Sequence, residues 1–466
     1  MQISILNGSF TDQNCDFRSS YPINMMPIFD KNGLSDFYLR PAEGLVKDGD
    51  GPGVDRGGIN WNGNYYRVMG TKFCLISDTG VISQLCDIGG VGQVTFDYGF
   101  DRLAIASSGI LFYWNGTNLT QVTDPDLGYV VDMLWVDGYY MTTDGTYLVV
   151  TDLNDPLSIN PLKYGSSEAD PDPIKGLLKT KNEVVALNRY TTEFFDNVGG
   201  SLFPFARIEG AQIQRGSIGT FSCAIFMDVV AFLGSGKKEP PAIWLGINGT
   251  SSKISTNEID GILKEYTEAE LAKVVMETKV DETQNLLMIH LTDRTLVYDG
   301  AASLLAKEPV WFILRSSLVE NSIYRARNLV WCYDKWQIAD PSTTSYGHLT
   351  NSSSQHYGKT IGWEFGTGIG YNKGKGCLVN SIELLTLTGR TLLGDDPTIS
   401  TCYSNDGVNW SQKKFIKSGK QGETNKRLVW PRQGRFSNWR VQKFKGTSDS
   451  FMSFSRLDAE LEALYV

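Results

Sequence analysis

Residues 58 to 68 read Gly58-Ile59-Asn60-Trp61-Asn62-Gly63-Asn64-Tyr65-Tyr66-Arg67-Val68. Two runs rich in apolar and aromatic residues flank the dipeptide Asn62-Gly63. Aromatic and β-branched side chains favour pleated strands. Asn-Gly accepts the positive φ angles that a two-residue hairpin turn requires. The stretch therefore predicts two antiparallel strands joined by a tight turn.

The same pattern recurs along the chain up to about residue 150, with turn signals between the apolar runs and no helical periodicity between the turns. The turn signals are Asp78-Thr79-Gly80, Asn115-Gly116, Asp137-Gly138 and Asp144-Gly145. Antiparallel meanders repeated around an axis form a β-propeller. We expect an all-β chain of propeller-like meanders with a short helical insertion and an additional C-terminal β region. A β-sandwich or an irregular multi-sheet fold is the alternative.

Composition limits the classes of protein that the chain can represent. Hydrophobic residues make up 41% and charged residues 20% of the 466 positions, which is typical of a globular chain. The 48 glycines and 12% aromatic residues suit a β-rich fold. A net charge of -9 argues against a general nucleic-acid binder, because phosphate contacts need clustered Lys and Arg. We expect no membrane span and no signal peptide.

The helical insertion is predicted at 257–277. Ser255-Thr256-Asn257-Glu258 and Thr267-Glu268-Ala269-Glu270 each resemble a capping box, which starts a helix. We expect two short helices that meet near Tyr266. Farther along, Asp299-Gly300 predicts a hairpin turn, and the proline- and acid-rich stretch 152–173 predicts a long surface loop.

Three parts of the chain are predicted. Residues 1–50 form an N-terminal arm and first strands, and residues 51–340 form the propeller-like body. Residues 341–466 form the C-terminal β region. The boundary at 341 rests on the stretch 342–354, which is rich in Ser, Thr and Asn and reads as a linker.

The residue types that carry catalysis do not form a recognisable motif. His290 lies on an apolar strand and is predicted to be a satisfied core histidine. His348 and His356 have no third metal ligand nearby in sequence. The loop Gly366-Thr367-Gly368-Ile369-Gly370 is followed by neither a helix nor Gly-Lys-Ser/Thr, which favours a bulge or flexible loop over a phosphate site. We expect no catalytic residue, no metal and no cofactor.

The cysteines are predicted to be buried free thiols in a reducing compartment, because their number is odd and none forms a Cys-x-x-Cys pair. They are Cys15, Cys74, Cys86, Cys223, Cys332, Cys377 and Cys402.

Positive charge is concentrated in the basic segment, residues 411–446. It holds eleven cations and one acid, Glu423, so its net charge is +10 and the rest of the chain carries -19. The cations are Lys413, Lys414, Lys417, Lys420, Lys426, Arg427, Arg432, Arg435, Arg440, Lys443 and Lys445. Such a cluster is a candidate subunit contact or DNA-facing surface. The interpretation without a function is a strand face that is simply exposed to solvent. We favour the subunit contact, because charge asymmetry suits head-to-tail ring assembly.

Two stretches carry a family resemblance. The first runs from Ile259-x-x-Ile262-Leu263-x-x-Tyr266-Thr267-x-Ala269-Glu270-Leu271-Ala272 through Leu286-Leu287-x-Ile289-His290-Leu291. The second is Lys426-Arg427-Leu428-Val429-Trp430-x-Arg432-x-Gly434-Arg435, and a weaker match is Pro22-x-Asn24-Met25. On these residues the chain resembles the packaged-DNA stabilisation proteins of short-tailed bacteriophages, also called tail hub or nozzle proteins. Separately, Ser404-Asn405-Asp406-Gly407-Val408-Asn409-Trp410 resembles the Asp-box hairpin, an architectural motif.

The resemblance implies a non-enzymatic virion protein, assembled in the host cytoplasm into a homohexameric ring of the tail. Such a ring closes the portal channel after packaging, stabilises packaged DNA and conducts it during ejection. The implied partners are portal or adaptor ring proteins, a tailspike or tail fibre, and a tail needle or plug. Double-stranded DNA would pass without specific contacts, and an acidic chain is consistent with a lumen that does not grip it.

Two alternatives remain open. A glycan-binding or glycan-degrading β-propeller tail protein would draw its carboxylates from distant loops. A minor adaptor ring of the virion would be non-enzymatic and would differ in ring symmetry.

Overall fold

The computed structural model describes residues 1–11, 16–30, 33–153, 155–281, 283–319 and 322–464. Within these ranges, seven antiparallel sheets, six of four strands and one of five, follow one another along the chain. We call them blades 1 to 7. Blade 1 contains Asp55–Trp61, Asn64–Met69, Lys72–Ile76 and Ile82–Asp87, and blade 2 contains Thr95–Tyr98, Leu103–Ser107, Ile110–Trp114 and Leu119–Gln121. Blade 3 contains Asp132–Val136, Tyr139–Thr143, Tyr147–Thr151 and Ile159–Ser166, and blade 4 contains Ile174–Thr180, Glu183–Asn188, Thr192–Asn197 and Phe205–Arg207.

Blades 5 to 7 keep this plan, except that the first strand of blade 5 is split in two. Blade 5 contains Gly216–Ser217 with Cys223–Phe226, then Val229–Ser235, Ala242–Ile247 and Thr250–Lys253. Blade 6 contains Val275–Asp281, Gln284–His290, Thr295–Asp299 and Trp311–Leu314. Blade 7 contains Arg327–Cys332, Lys335–Ala339, Ser345–Thr350 and Gly44–Asp50. The predicted hairpin at residues 58 to 68 is confirmed. Asn62 and Gly63 adopt φ angles of 53° and 77° between paired strands.

The seven blades close into a ring. The first strand of each blade contacts the first strand of the next, and Arg327–Cys332 of blade 7 contacts Asp55–Trp61 of blade 1. Blades repeated radially around an axis in this way define a β-propeller. The predicted fold class is therefore confirmed, and the described residues form seven blades.

The ring is closed by hydrogen bonds between segments that are far apart in sequence. The outermost strand of blade 7 is Gly44–Asp50, which precedes blade 1 in the chain and pairs with Ser345–Thr350. The closing seam between blades 7 and 1 also holds a buried polar cluster. The Arg67 guanidinium lies 2.6 Å from Asp55, and Asn328 Nδ2 donates to Asp55 Oδ2 at 2.6 Å. Both ions are fully buried, so removing either one would leave an uncompensated charge.

The remaining strands form a two-sheet sandwich. We call the sheets A and B. Sheet A contains Gln2–Ile3, Met25–Phe29, Phe37–Pro41, Cys377–Thr386, Leu428–Phe436 and Phe454–Ala463, and sheet B contains Gly362–Gly366, Gly370–Tyr371, Thr398–Ser404, Lys414–Lys417 and Trp439–Thr447. Trp363 and Phe444 of sheet B pack into one buried cluster with Trp430, Phe454 and Leu39 of sheet A. Gly8–Thr11 and Phe17–Ser20 form a separate two-stranded hairpin.

The chain begins in the sandwich, builds the propeller and returns to the sandwich. Three strands of sheet A precede residue 44, and the other three follow residue 376. The pairing of Gly44–Asp50 with Ser345–Thr350 joins the first predicted part, 1–50, to the third, 341–466, and places both strands in the propeller. That division stays a prediction, because strand pairing shows which sheet a segment joins and not which segments fold independently.

Asn24 joins the sandwich to the rim of the propeller. Next to it, Ile23 forms β-bridges both to Ile313 on the outer strand of blade 6 and to Glu364 of sheet B. The buried Asn24 side chain donates to the Gly362 carbonyl at 2.7 Å and accepts from the Arg315 amide at 2.8 Å. Its φ of 57° is in the left-handed region. We call this arrangement the Asn24 clasp.

The helical insertion is confirmed, but it is shorter than the predicted 257–277, because residues from 275 onward belong to the strand Val275–Asp281 of blade 6. Helix α1 spans Asn257–Leu263 and helix α2 spans Glu268–Leu271. The capping box of Thr267 and Glu270 is confirmed. Ser255 is not the first cap: Thr256 accepts from the Ile259 amide, and Glu258 instead accepts from the Ser19 amide.

Three other sequence predictions are wrong. Asp299 does not form a hairpin turn but caps helix α3, Gly300–Ala306, by accepting from the Ala302 amide. The stretch 152–173 is not a continuous loop, since it contains the strand Ile159–Ser166. Likewise, Ser345–Thr350 in the presumed linker is a strand of blade 7. In each case long-range pairing or local capping outweighs the turn signal.

Replacing Asn24 tests the clasp. We expect Asn24→Ala to lower the free energy of unfolding by about 3 kcal/mol, because it removes two buried hydrogen bonds and keeps a left-handed backbone position without an asparagine. Asn24→Gly removes the same side-chain bonds but tolerates the φ angle, so its loss should be smaller. Urea unfolding of both variants measures the difference. A loss below about 0.5 kcal/mol for Asn24→Ala would show that the clasp contributes little.

His356 gives the structure a defined pH dependence. Burial, with a smaller contribution from Arg325, lowers the pKa of His356 from 6.5 to about 3. Because the folded state holds this histidine neutral, its contribution is present above pH 6.5 and is lost as the pH falls towards 3. The loss should reach up to about 5 kcal/mol. In His356→Gln, unfolding measured between pH 7 and pH 4 should show a shallower loss than in the unmodified chain.

Candidate functional site

Two of the three strands that hold the basic segment lie along one open edge of the sandwich. The cations of this segment fall on or beside three strands: Lys414–Lys417, Leu428–Phe436 and Trp439–Thr447. The first is the edge strand of sheet B and the second is the edge strand of sheet A, and the two edge strands are in contact. Packing of the two sheets therefore brings the cations of residues 413–417 and 428–436 to the same edge.

Five of the eleven cations are paired within the chain. Lys417 lies 2.6 Å from Asp396, Arg427 lies 2.6 Å from Glu383, and Lys426 lies 3.4 Å from Glu423. On the outer face of sheet B, Lys443 and Lys445 both contact Glu364, the former at 2.9 Å. Burial would raise the pKa of Glu364, but the two lysines outweigh burial and hold it below its usual value. These cations offer little free charge to a partner.

Four exposed cations form what we call the basic edge: Lys413, Lys414, Arg432 and Arg435. In the part of the chain that the structure describes, none of the four has a carboxylate partner, and the same is true of Lys420. Lys414 Nζ donates to the Arg432 carbonyl at 2.5 Å, which places the two edge strands side by side. Arg440 is buried and is not part of this surface.

The basic edge is built to resist strand pairing. Arg432 has a φ of 55°, and the register of its strand shifts between Pro431 and Gly434. Proline, a bulge and charged side chains are the devices that stop an edge strand from adding another strand. A partner of this edge would therefore contact side chains and not the backbone ladder.

The predicted Asp-box turn has an architectural geometry. Asp406 accepts from the Val408 amide at 2.9 Å, from the Asn409 amide at 2.7 Å and from Asn409 Nδ2 at 2.7 Å. Hydrogen bonds from Asn409 and Ser404 hold the pKa of Asp406 far below its usual value. All of these partners lie within the turn itself, so the carboxylate stabilises the hairpin.

The histidines are held in separate places. His290 is buried, as predicted, with Nδ1 2.9 Å from Thr295 Oγ1 and Nε2 2.6 Å from Glu277. His348 Nδ1 lies 2.9 Å from Asp48 Oδ2, and His356 Nδ1 lies 2.8 Å from Ser316 Oγ. Across the described ranges, no group of three His, Cys, Asp or Glu side chains is close enough to hold a metal ion.

The cysteines and the glycine-rich loop agree with their structural interpretation. Cys86 is half-buried, Cys15 lies outside the described residues, and the other five are buried free thiols: Cys74, Cys223, Cys332, Cys377 and Cys402. Residues 367–369 separate the short strands Gly362–Gly366 and Gly370–Tyr371, which both pair with Trp439–Thr447. This is the bulge-like loop that the sequence predicted. No helix in the described part of the chain is long and apolar enough to cross a membrane.

Sequence reasoning did not identify the contacts that join the two domains. In the sequence, Asn24 stands out only through the weak match Pro22-x-Asn24-Met25, which indicates no role for it. Lys279 of blade 6 is buried and pairs with Glu43, on the segment where the chain crosses into the propeller. No local pattern indicates these partners, because they are more than two hundred residues apart in the chain.

Comparison with known proteins covers both domains. Residues 1–354 match the family model described as bacteriophage P22 Gp10, beta-propeller, and residues 362–462 match the one described as bacteriophage P22 Gp10, beta-sandwich. The tail hub protein gp10 of Salmonella phage P22 is 28% identical over 484 residues, which cover 99% of each chain.

Solved structures resemble the chain only weakly. The N-terminal domain of Nup159 aligns at 10% identity over 70% of this chain and 98% of its own, with a TM-score of 0.42. The computationally designed Ika8 protein aligns at 12% identity over 66% of this chain and 100% of its own, with a TM-score of 0.39. The two family models, in contrast, match in order and together span nearly the whole sequence, so the chain belongs to the bacteriophage P22 Gp10 family.

Proposed function

We propose that this chain is the structural tail hub, or nozzle, subunit of a short-tailed bacteriophage. In this role it closes the portal channel after packaging, retains the packaged DNA and forms part of the conduit for ejection. The observation that carries the proposal is the match to a tail hub protein along 99% of both chains, which includes both domains. A relationship confined to the propeller would say much less, because propellers serve many functions.

The way the two domains are joined suits a part that bears load. Packaged DNA pushes outward, so a closure must resist displacement of one domain against the other. The Asn24 clasp and the two isolated β-bridges of Ile23 cross the boundary between sandwich and propeller, and the buried pair of Lys279 with Glu43 fixes the segment that enters blade 7. Several buried links of this kind favour motion of the two domains as one body.

The assembly is proposed to be a homohexameric ring in the virion tail, built in the host cytoplasm. Its partners would be portal or adaptor ring proteins, a tailspike or tail fibre, and a needle or plug. Within this ring, the basic edge meets an acidic surface of the neighbouring copy. Charge supports this arrangement, because the chain outside the basic segment carries -19, and a head-to-tail contact joins two different surfaces.

The proposed role is mechanical and needs neither a catalytic residue nor a cofactor. The competing possibility of a glycan-active propeller predicts host-polysaccharide binding or cleavage instead. We also propose the three-part division at 1–50, 51–340 and 341–466, and limited proteolysis can test whether its boundaries are accessible to cleavage.

Deleting the chain from the phage tests the proposed role directly. We expect heads that fill with DNA and then lose it, because the channel is not closed. Packaged DNA would become sensitive to added DNase, and electron microscopy would show heads without complete tails. Retained DNA combined with a defect only in adsorption or capsule degradation would contradict the hub role and support the glycan-active alternative.

Reversing the charge of the basic edge tests the subunit contact. The variant Lys413→Glu, Lys414→Glu, Arg432→Glu, Arg435→Glu should fail to form rings, because the edge would repel the acidic surface of the next copy. Its melting temperature should stay near that of the unmodified chain, since these side chains are exposed and have no acidic partner. Sedimentation analysis and incorporation into tails measure assembly.

A matched control carries the same change in net charge elsewhere. Lys181, Lys238, Lys335 and Lys359 are exposed lysines on the propeller and the connection after it. Their replacement by glutamate should leave ring formation intact. Normal assembly of the basic-edge variant together with altered DNA retention would instead favour a DNA-facing edge.

A further inference from the structure

A cavity of about 270 Å³ lies between the two sheets of the sandwich. Sheet A supplies an apolar wall that includes Val379, Ile382 and Leu457. Sheet B supplies a polar wall with Arg440 and Gln442. The residues around the glycine-rich loop, from Thr367 to Asn372, border the cavity on one side.

Strand geometry explains why a cation faces this interior. Successive side chains of a strand point to opposite faces, so Arg440, Gln442 and Phe444 share one face of Trp439–Thr447. Phe444 is fully buried in the core between the sheets. Arg440, which is 6% exposed, therefore projects into the same space.

Arg440 has hydrogen-bond partners but no counter-charge. Its guanidinium donates to the Gln433 carbonyl at 2.6 Å and to Gln442 Oε1 at 2.9 Å. It also stacks on the Tyr403 ring, 3.7 Å from the ring centre. No carboxylate among the described residues pairs with it, and burial lowers the pKa of Arg440 to about 10.

Two other buried arginines show how this chain usually satisfies such a group. Arg67 is paired with Asp55 at 2.6 Å. Arg56 has no acid, but its donors reach the carbonyls of Gly70, Gly89 and Gly92, which are fixed acceptors that seal blade 1 against blade 2. Arg440 instead is held by the Gln433 carbonyl and by the side-chain oxygens of Gln433 and Gln442, none of which is charged, and it borders a cavity. A buried cation beside an apolar space has the character of a ligand site.

We propose that this cavity binds a small apolar monocarboxylate, such as a medium-chain fatty acid. The carboxylate pairs with Arg440, and the hydrocarbon chain lies against the sheet A wall. The volume is slightly below the range of about 300 to 1,000 Å³ that is usual for pockets of drug-sized ligands, so the occupant is small. A planar guanidinium suits two parallel hydrogen bonds to a carboxylate. The anion supplies the counter-charge that the fold itself does not provide.

The test compares an acid with its uncharged analogue. Octanoate and octan-1-ol are titrated into the full chain by isothermal titration calorimetry. Octanoate should bind saturably with one site per chain, and octan-1-ol should bind about tenfold to a hundredfold more weakly, because it lacks the charge-assisted pair.

Arg440→Gln should remove this preference, so that the acid and the alcohol bind with similar weak affinity. The ratio of the two affinities is the readout, because general damage to the fold would weaken both ligands alike. Arg435→Gln is the matched control on the exposed edge and should keep the preference. Ala459→Leu, which adds bulk to the cavity wall, should reduce binding of both ligands while leaving Arg440 in place.

Two results would overturn the proposal. The first is the absence of saturable octanoate binding to the unmodified chain. The second is a preference for the acid that persists in Arg440→Gln. Neither outcome bears on the tail hub role, which the deletion phage tests separately.

Discussion

The pairing of Gly44–Asp50 with Ser345–Thr350 is the constraint on which the rest of the structure depends. It joins segments about three hundred residues apart and completes blade 7, so the propeller is closed without a covalent link. The entropy of closing so large a loop is recovered only when the whole ring forms. The same pairing places the two crossings between domains next to each other. The sandwich is thereby assembled from both ends of the chain, beside the rim of blade 6.

Buried polar groups then fix how the closed ring sits against its neighbours. At the closing seam, Asp55, Arg67 and Asn328 satisfy one another. At the domain boundary, Asn24 bonds to Gly362 and to Arg315. Such groups contribute modest net stability, but a wrong arrangement would leave them unpaired and costly. They therefore select one arrangement of blades and sandwich, which is what a rigid structural part of a virion needs.

The basic segment shows how tertiary structure divides a charge cluster that is uniform in sequence. Its eleven cations become three groups: five paired with acids of the same chain, five exposed without such a partner, and one, Arg440, buried between the sheets. Strand alternation separates Arg440 from Lys443 and Lys445, because the former points inward and the latter two point outward. Acids that neutralise the cluster, such as Glu364 and Glu383, come from strands outside it.

Local sequence signals are sufficient to predict the secondary-structure elements and the fold class. Asn62-Gly63 and similar dipeptides set the hairpins through their positive φ angles, and the Thr267–Glu270 box set the start of a helix, because these signals act within a few residues. The family resemblance carried the predicted role. Only the tertiary structure decided the number of blades, the membership of Ser345–Thr350 in blade 7, the clasp at Asn24 and the burial of Arg440. These features depend on contacts between segments far apart in the chain, and such contacts leave no periodic pattern in the sequence around either partner.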